Sequence, residues 1–331
     1  MRRQCALLMA LLVLACIQAV GVRADHGDAG VITAQFENDS FANSDRQFTH
    51  GMRIAYMGPE NHVPDWAKQL AELAPPFDAS RSTRAVYALS QSIFTPSDIS
   101  SRTRITDDRP YAGWLNFSIG LTSVSPRFLD NLDIGIGVVG PASYAEDVQK
   151  SWHKWFGFQR PQGWSNQLGN EPTIQINFER SWRALWKTFG FGGLGADVTP
   201  HIGGSIGNVL TQGATGLTLR IGDDLPNDYG PPRIRPSLPG SDYFDTRDMF
   251  SWYVFAGAEA RAVARNIFLD GNSFRDSHSV EKNHFVADFQ AGVAVIVRGV
   301  RFAYTQVFRT REFKTQDAPE QFGAVSISVK F

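Results

Sequence analysis

The sequence predicts an all-β protein, a transmembrane antiparallel β-barrel of about 12 strands with short helices in its loops. Three observations carry this prediction: an N-terminal segment with the features of an export signal, the lack of any later apolar run of about 18 residues, and many segments in which apolar and polar residues alternate. A membrane-spanning helix needs such an apolar run, whereas a membrane-spanning strand needs only about ten residues. A helical membrane protein is therefore excluded.

The N-terminus predicts a secretory signal peptide over residues 1–24, followed by one barrel domain over residues 25–331. Arg2 and Arg3 form a short basic region, and the stretch from Ala6 to Val20 is largely apolar. Ala24 supplies the small residue that a cleavage site needs. The apolar stretch is too short for a stable transmembrane helix. We therefore expect export across an inner membrane.

Cysteine content and charge exclude several classes of site and partner. Both cysteines, Cys5 and Cys16, lie in the predicted signal peptide, so the mature chain would have no disulfide, thiolate nucleophile or cysteine-ligated zinc. Without the three arginines of that peptide, 29 basic and 33 acidic residues remain. This slightly negative balance gives no electrostatic surface for nucleic acid, which is therefore not an expected partner.

The C-terminal segment carries the clearest strand pattern. From Val325 to Phe331 every odd-numbered residue is apolar, and from Ala324 to Lys330 every even-numbered residue is small or polar. A final strand that ends on phenylalanine resembles the recognition signal of outer-membrane barrels, so we expect the barrel assembly machinery as a partner during biogenesis. The alternative is a secreted soluble β-sandwich that ends on phenylalanine by chance. Signal and strand together favour the bacterial outer membrane and its lipid bilayer.

Similar alternating segments recur along the chain. The strands are predicted at 31–37, 49–57, 84–94, 112–124, 130–140, 172–184, 192–203, 212–222, 250–264, 284–298, 300–312 and 322–331. This even count is what single-chain bacterial barrels require. The pattern is weakest over 185–222.

Three long connections interrupt the strands. Residues 141–170 contain a predicted short helix, Glu146 to Phe156, and 58–83 contain a possible amphipathic helix, Trp66–Leu73. Residues 223–249 are rich in proline and glycine, which indicates a loop. With a periplasmic N-terminus, 38–48, 95–111 and 141–171 lie on the outer side. The same count places 58–83 and 223–249 on the periplasmic side, where long connections are unusual.

The first polar cluster consists of Glu37-Asn38-Asp39, Asp45-Arg46 and Thr49-His50-Gly51. Carboxylate and amide oxygens are ligands that a hard cation such as calcium prefers. An asparagine side chain or a metal ion can also stabilise an oxyanion in acyl transfer. The alternative is a polar turn with an Asx motif and a salt bridge.

The second cluster runs from Thr95-Pro96-Ser97 to Asp107-Asp108-Arg109 and on to Trp114. Arginine and aspartate here could form a pair that shapes the rim of the barrel. Tyr111 and Trp114 suit an aromatic girdle at the membrane interface. This cluster favours a structural role.

The third cluster includes Glu146, Gln149 and His153, whose spacing places them on one face of a helix. His153 could act as a general base, because an imidazole can take a proton from water near neutral pH. The alternative is a solvated loop histidine. The chain has no Gly-x-Ser-x-Gly elbow and no His-Glu-x-x-His motif. A hydrolase of this sequence would therefore use water activated by histidine.

In this order, the three clusters resemble the outer-membrane lipid A 3′-O-deacylase family (LpxR). The resemblance spans residues 31 to 331. The matching positions are Asn38-Asp39, Asp45-Arg46, Phe48-Thr49 and Gly51, then Gln91, Pro96-Ser97 and Asp108-Arg109, then Gly140-Pro141, Val148-Gln149, His153, Gly157 and Trp164. The resemblance implies a twelve-stranded barrel that removes the 3′-linked acyloxyacyl group of lipid A. It also implies lipopolysaccharide as the partner and a divalent cation, typically calcium, as the cofactor.

The resemblance also implies an active site. By position, the family's catalytic residues fall on Asn38, Asp39, Thr49, Gln149 and His153, with Asp39 as a metal ligand. Two positions depart from the family pattern. A family lysine falls near Ser101, where Arg102 and Arg104 are possible substitutes in substrate binding, and a family glutamate falls on Gln159.

Two other functions stay open on the residues alone. One is a non-enzymatic outer-membrane barrel, either porin-like or structural, which would have a hydrated lumen and no convergence of Asn38, Asp39, Thr49 and His153. The other is an outer-membrane phospholipase that uses the same chemistry on glycerolipids.

Overall fold

A computed structural model describes residues 29–39, 47–60, 62–72, 77, 81–184, 186–189, 194–223, 225, 228, 242–244 and 249–331. The predicted signal peptide, Asp45-Arg46 and most of 223–249 lie outside these residues. The strands are β1 (Val31–Asn38), β2 (Gln47–Met57), β3 (Ser82–Thr95), β4 (Ala112–Val124), β5 (Phe128–Val139), β6 (Glu171–Trp182), β7 (Trp186–Phe189), β8 (Leu194–Gly207), β9 (Leu210–Asp223), β10 (Phe250–Asn266), β11 (Phe285–Val297), β12 (Val300–Arg309) and β13 (Glu320–Lys330). The α-helices are α1 (Asp65–Glu72), α2 (Ala145–Phe156) and α3 (Ile267–Asp270), and short 3-10 helices lie at Pro141–Ser143 and Trp164–Asn166.

The strands form a closed antiparallel barrel. Strand β1 pairs with both β2 and β13, and β6 pairs with β8, which closes the circle. The short β7 continues the line of β6, because Ser181 pairs with His201 of β8 and Trp186 pairs with Val198 three residues earlier. Counted this way, the described strands make a twelve-stranded wall. The predicted fold class and strand count are confirmed. In the weak stretch over 185–222, β8 and β9 correspond to two predicted strands, whereas β7 was not predicted.

The antiparallel order divides the connections between the two ends of the barrel. The ends of β1, β3 and β5 lie at one end of the barrel, which we call the rim. The start of β1 and the ends of β2, β9 and β13 lie at the opposite end, as the strand count predicts. Helix α1 belongs to this opposite end, where Ala67 and Ala71 pack against Val63, Phe77 and Ala85. The long connections at this end are therefore features of the fold and not errors of counting.

Charged side chains fill the interior of the barrel. Most of the ion pairs there are buried, and they join strands or connections across or along the interior; they are Arg53–Asp242, Arg180–Asp130, Arg220–Asp197, Arg261–Asp288, Arg309–Asp288 and Arg109–Glu312. Towards the rim, Phe268 of α3 stacks on Phe94 with ring centroids 3.9 Å apart, within an apolar cluster that includes Val307 and Phe322. Over the described residues, side chains occupy the lumen that a porin would leave to water.

The outer surface carries an apolar belt. Ile54 pairs with Leu89, Leu89 with Phe117, and Phe117 with Ile136, so these four side chains form a row across four strands. Each is 41–59% exposed. Such a row is stable where lipid tails cover it. No helix in the described ranges has the length and apolar character needed to cross a bilayer.

Candidate active site

The connection between β5 and β6 folds back over the outer surface of the wall. Its helix α2 begins beside Gly113 of β4, where an added Cβ atom would lie 2.2 Å from both the Ala145 Cβ and the Ser143 Oγ. Gln91 of β3 donates a hydrogen bond from Nε2 to the Ser143 carbonyl oxygen at 2.6 Å. Ile93, which shares the outward face with Gly113, is fully buried beneath Ala145. A glycine at 113 thus allows α2 to lie directly on the barrel wall.

The ends of β1 and β2 meet this helix through aromatic rings. Asn38 pairs with His50, so both side chains point to the outward face, together with Phe36. The Phe36 ring centroid lies 4.8 Å from that of His50 and 5.1 Å from that of Trp152 on α2. His50 is 3% exposed and Asn38 is 4% exposed. The helix therefore covers a polar patch on the outside of the barrel.

Thr49 lies at an irregularity in the wall. The register between β2 and β3 shifts between Phe48 and His50, so Thr49 is the extra residue of a β-bulge. Bulges redirect side chains and are frequent beside active sites. The position of the Thr49 side chain lies outside what the structure describes.

Asp39 follows β1 directly and is buried, with 1% of its surface exposed, whereas Glu37 is 2% exposed and lies on the inward face of β1, opposite to Asn38. A carboxylate oxygen is a ligand that calcium prefers. No group of three histidine, cysteine, aspartate or glutamate residues in the described ranges could hold a metal ion. A cation at Asp39 would therefore take its other oxygens from amides, backbone carbonyls and water, which calcium accepts. In this sense the donor set fits a hard cation.

His153 is held in one orientation at the end of α2. Gly157 adopts a left-handed conformation (φ 71°), which reverses the chain and brings the Gln159 carbonyl oxygen back to His153 Nδ1. An Nδ1–H that donates to a carbonyl leaves Nε2 as the proton acceptor of the ring. The His153 ring is 2% exposed, and it lies close enough to His50 for the two imidazoles to interact electrostatically.

Gln149 lies one helical turn before His153 and is also buried. Its Oε1 accepts a hydrogen bond from Trp164 Nε1 at 2.7 Å. Its Nε2 has no hydrogen-bond partner among the described residues. Glu146 instead forms an ion pair with Lys150 on the exposed side of the helix. The predicted polar face of α2 therefore contributes Gln149 and His153 but not Glu146.

The structure corrects the interpretation of the second cluster. Asp108 accepts hydrogen bonds from Ser97, and the Arg109 guanidinium pairs with Glu312 in the barrel interior at 2.7 Å, so Asp108 and Arg109 form no pair through the guanidinium. Burial alone would raise the pKa of Glu312, but the guanidiniums of Arg309 and Arg109 hold that pKa at about 2. The ion pair between Arg109 and Glu312 therefore holds the connection after β3 to the barrel interior.

The aromatic girdle predicted for Tyr111 and Trp114 is also wrong. Tyr111 is 4% exposed and packs on Trp164 with ring centroids 5.0 Å apart, because the folded-back connection covers it. Trp114 faces the interior, where its Nε1 donates to Thr173 Oγ1 at 3.1 Å and its ring packs near Phe268.

The residues predicted to bind substrate lie at the surface of the rim. Arg102, Arg104 and Gln159 are all exposed. The Asn166 Nδ2 donates to the Arg102 carbonyl oxygen at 2.9 Å, which fixes this loop against the connection that carries α2. Gln159 contacts His153 through its backbone carbonyl oxygen, so this contact does not depend on the side chain at position 159.

The structure thus brings Asn38 of β1 and the α2 pair Gln149 and His153 to one region of the outer wall. It adds His50 and Trp164, to which the sequence analysis gave no role. His50 stands in the first cluster, but sequence alone does not reveal the register that places it opposite Asn38. Trp164 is far from Gln149 along the chain, and no periodicity connects them.

Together the closed wall, the filled interior and the buried polar patch define a membrane-embedded β-barrel with its candidate site on the outer wall. Residues 7–331 match the family described as outer membrane protein LpxR, and the chain belongs to this family. The predicted family is confirmed. The chain is therefore an outer-membrane protein of the lipid A deacylase family.

Three solved structures resemble the chain to different degrees. The chain is similar to LpxR from Salmonella typhimurium, with 20% identity and a TM-score of 0.72, over 91% of this chain and 100% of that one. It is less similar to the β domain of the Bordetella autotransporter BrkA, with 9% identity, a TM-score of 0.46 and coverage of 92% and 100%. The COG4313 outer membrane channel from Pseudomonas putida F1 has 8% identity, a TM-score of 0.41 and coverage of 94% and 98%. A comparison with curated proteins gives no match.

Proposed function

We propose that the protein hydrolyses the 3′-acyloxyacyl ester of lipid A and so remodels lipopolysaccharide in the outer leaflet. The observation that carries this proposal is the location of His153, which is buried with Asn38 and Gln149 on the outer wall near the rim. A pore does not need a buried, oriented imidazole on its lipid-facing side. An esterase that activates water to attack a membrane lipid needs a general base within reach of that lipid.

The surface next to this site suits an acyl chain. Met52 lies on the same outward face two residues below His50 and is 42% exposed, and Ile54 and Leu89 continue the apolar belt. An acyl chain could stay in contact with this belt while the ester reaches His153 and the sugar headgroup meets the rim. Arg102 and Arg104, both exposed at the rim, are suited to the phosphates of lipid A.

In the proposed reaction His153 Nε2 takes a proton from a water molecule. The resulting hydroxide attacks the ester carbonyl carbon, and the carbonyl oxygen becomes an oxyanion. The bond from the carbonyl carbon to the sugar oxygen then breaks, and the protonated His153 returns its proton to that oxygen. The products are a free acyloxyacyl acid and a lipid A with a 3′ hydroxyl group.

Donors for the oxyanion are available on two sides. The hydrogen bond from Trp164 Nε1 to Gln149 Oε1 fixes the amide group of Gln149 and so orients its Nε2. Asn38 carries a second side-chain amide. The Thr49 hydroxyl is the third candidate. A divalent cation bound by Asp39 and neighbouring oxygens, calcium by the family resemblance, would supply Lewis-acid stabilisation of the same oxygen. Gln159 stays a candidate substrate contact at the surface.

Mass spectrometry of lipid A from cells that express the chain tests the proposal. We expect lipid A that has lost the 3′-linked acyloxyacyl group, and unchanged lipid A with His153→Ala. Trp155→Phe is a matched control, because Trp155 lies on the same helix and is 77% exposed. Unmodified lipid A from a folded wild-type barrel in the presence of calcium would contradict the proposal. Loss of glycerophospholipids instead would identify a phospholipase.

A further inference from the structure

We propose that His50 is a further catalytic residue of this site, whose Nε2 donates a hydrogen bond to the carbonyl oxygen of the scissile ester. The inference rests on the proposed function and names one more residue that touches the substrate. It gives the two imidazoles of the site different tasks, with His153 as the base and His50 as a donor.

The His50 side chain is buried, and one of its nitrogens lacks a partner. His50 is 3% exposed, and its Nε2 has no hydrogen-bond partner among the described residues. A buried polar atom without a partner is unfavourable unless a ligand or an ordered water satisfies it. His50 Nε2 is therefore available to a ligand group or to an ordered water molecule.

His50 lies beside the other residues of the candidate site. His50 pairs directly with Asn38, and it follows the bulge at Thr49. Its ring centroid lies 5.4 Å from that of Trp152, which precedes His153 on α2. His50 also interacts electrostatically with His153. The imidazole thus lies between the β1–β2 end and the helix that carries the base.

The two imidazole rings of the site are held in different ways. The Gln159 carbonyl oxygen occupies His153 Nδ1 and fixes its tautomer. The His50 ring is held on its faces and edges by Phe36 and Trp152, with ring centroids 4.8 and 5.4 Å away, and these contacts do not occupy Nε2. Aromatic packing fixes the plane of the ring and leaves the nitrogen available to a substrate.

A purely structural role for His50 makes a different prediction. If the ring only fills space between Phe36 and Trp152, phenylalanine would replace it. If Nε2 touches the oxyanion, phenylalanine keeps the packing and loses the donor. Loss of one oxyanion donor lowers kcat by about 100- to 1,000-fold in well-studied hydrolases.

The test measures release of acyloxyacyl acid from lipid A by the purified full-length barrel in detergent, with calcium. We expect His50→Phe to lower kcat by about 100-fold or more with little change in KM. His50→Gln can place an amide Nε2 near the imidazole position, and it should retain at least about a tenth of the activity. His62→Phe is the matched control, since His62 is exposed at the opposite end of the barrel. A kcat for His50→Phe within about threefold of the wild type overturns the proposal.

Folding and function are separated within the same experiment. A heat-dependent shift in gel mobility reports whether each variant forms the barrel. If His50→Phe does not fold, His50→Gln and His50→Asn decide the question: the proposal requires the longer amide to be at least about tenfold faster, and equal rates refute it. An inactive wild type would contradict the proposed hydrolysis itself, whereas an active wild type with an active His50→Phe would remove only the role of His50.

Discussion

Substitution of Trp164 by phenylalanine probes the contact that orients Gln149. Trp164 is 1% exposed, and its Nε1 donates to Gln149 Oε1 at 2.7 Å. Phenylalanine keeps most of the packing on Tyr111 but removes the donor. The side-chain amide of Gln149 is then buried without a described partner at either end, because Nε2 already lacks one.

The size of the effect follows from this geometry. A buried polar group that loses its partner costs about 1–3 kcal/mol. If that free energy appears in the positioning of Gln149 in the transition state, kcat falls by roughly 5- to 150-fold, at 1.36 kcal/mol for each factor of ten. A similar loss is expected in the free energy of unfolding.

A double-mutant cycle measures this coupling. The rates of acyl release by Trp164→Phe, Gln149→Ala and the double variant are compared with the wild type. Residues that act through one hydrogen bond give non-additive effects, so Trp164→Phe should cost little in the Gln149→Ala background. Trp155→Phe serves as the control on the same connection. Fully additive losses would refute the idea that Trp164 acts through Gln149.

Three more predictions concern the barrel. Glu312→Gln should lower the free energy of unfolding by about 3–5 kcal/mol at pH 7, because it breaks a buried ion pair. The pKa of Glu312 in the folded state, about 2, lies below the ordinary 4.5, so this stabilisation is present above about pH 4.5 and is lost as the pH falls towards 2. Urea unfolding of the variant and the wild type should therefore differ less at pH 3 than at pH 7. Gly113→Ala should displace α2 and lower the activity of a folded barrel at least tenfold. Gly213→Ala is the control and should keep the activity, because the space around its Cβ position is open. Equal activities of the two variants would contradict the position of α2 against the wall. Planar-bilayer recordings should show no sustained conductance, and porin-sized channels would contradict a filled lumen.

The sequence predicted the wall of the barrel well because each strand has one lipid-facing and one inward face. Alternation therefore survives in strands such as Phe128–Val139, where Ile136 is exposed and Leu129 is buried. The break between Ser181 and Trp186 was not predicted, since a strand that continues after an irregularity has no period of its own. Long connections were found by composition, but composition does not tell on which surface they fold.

The candidate site was predicted less completely. Asn38, Gln149 and His153 were identified by resemblance, and their roles stay predictions. The sequence suggested a rim pair for Asp108 and Arg109, but the partner of Arg109 is Glu312, more than two hundred residues later. Contacts of this kind follow from barrel closure and cannot be inferred from neighbouring residues.

Incubation of the purified barrel with lipid A in detergent, followed by mass spectrometry of both products, tests the central claim most directly. We predict one released acyloxyacyl acid for each lipid A that loses its 3′ chain, with no release by His153→Ala. Removal of divalent cations should abolish release, and added calcium should restore it. Lipid A that keeps its mass with a folded wild-type barrel and calcium, or equal release by His153→Ala, would contradict the account.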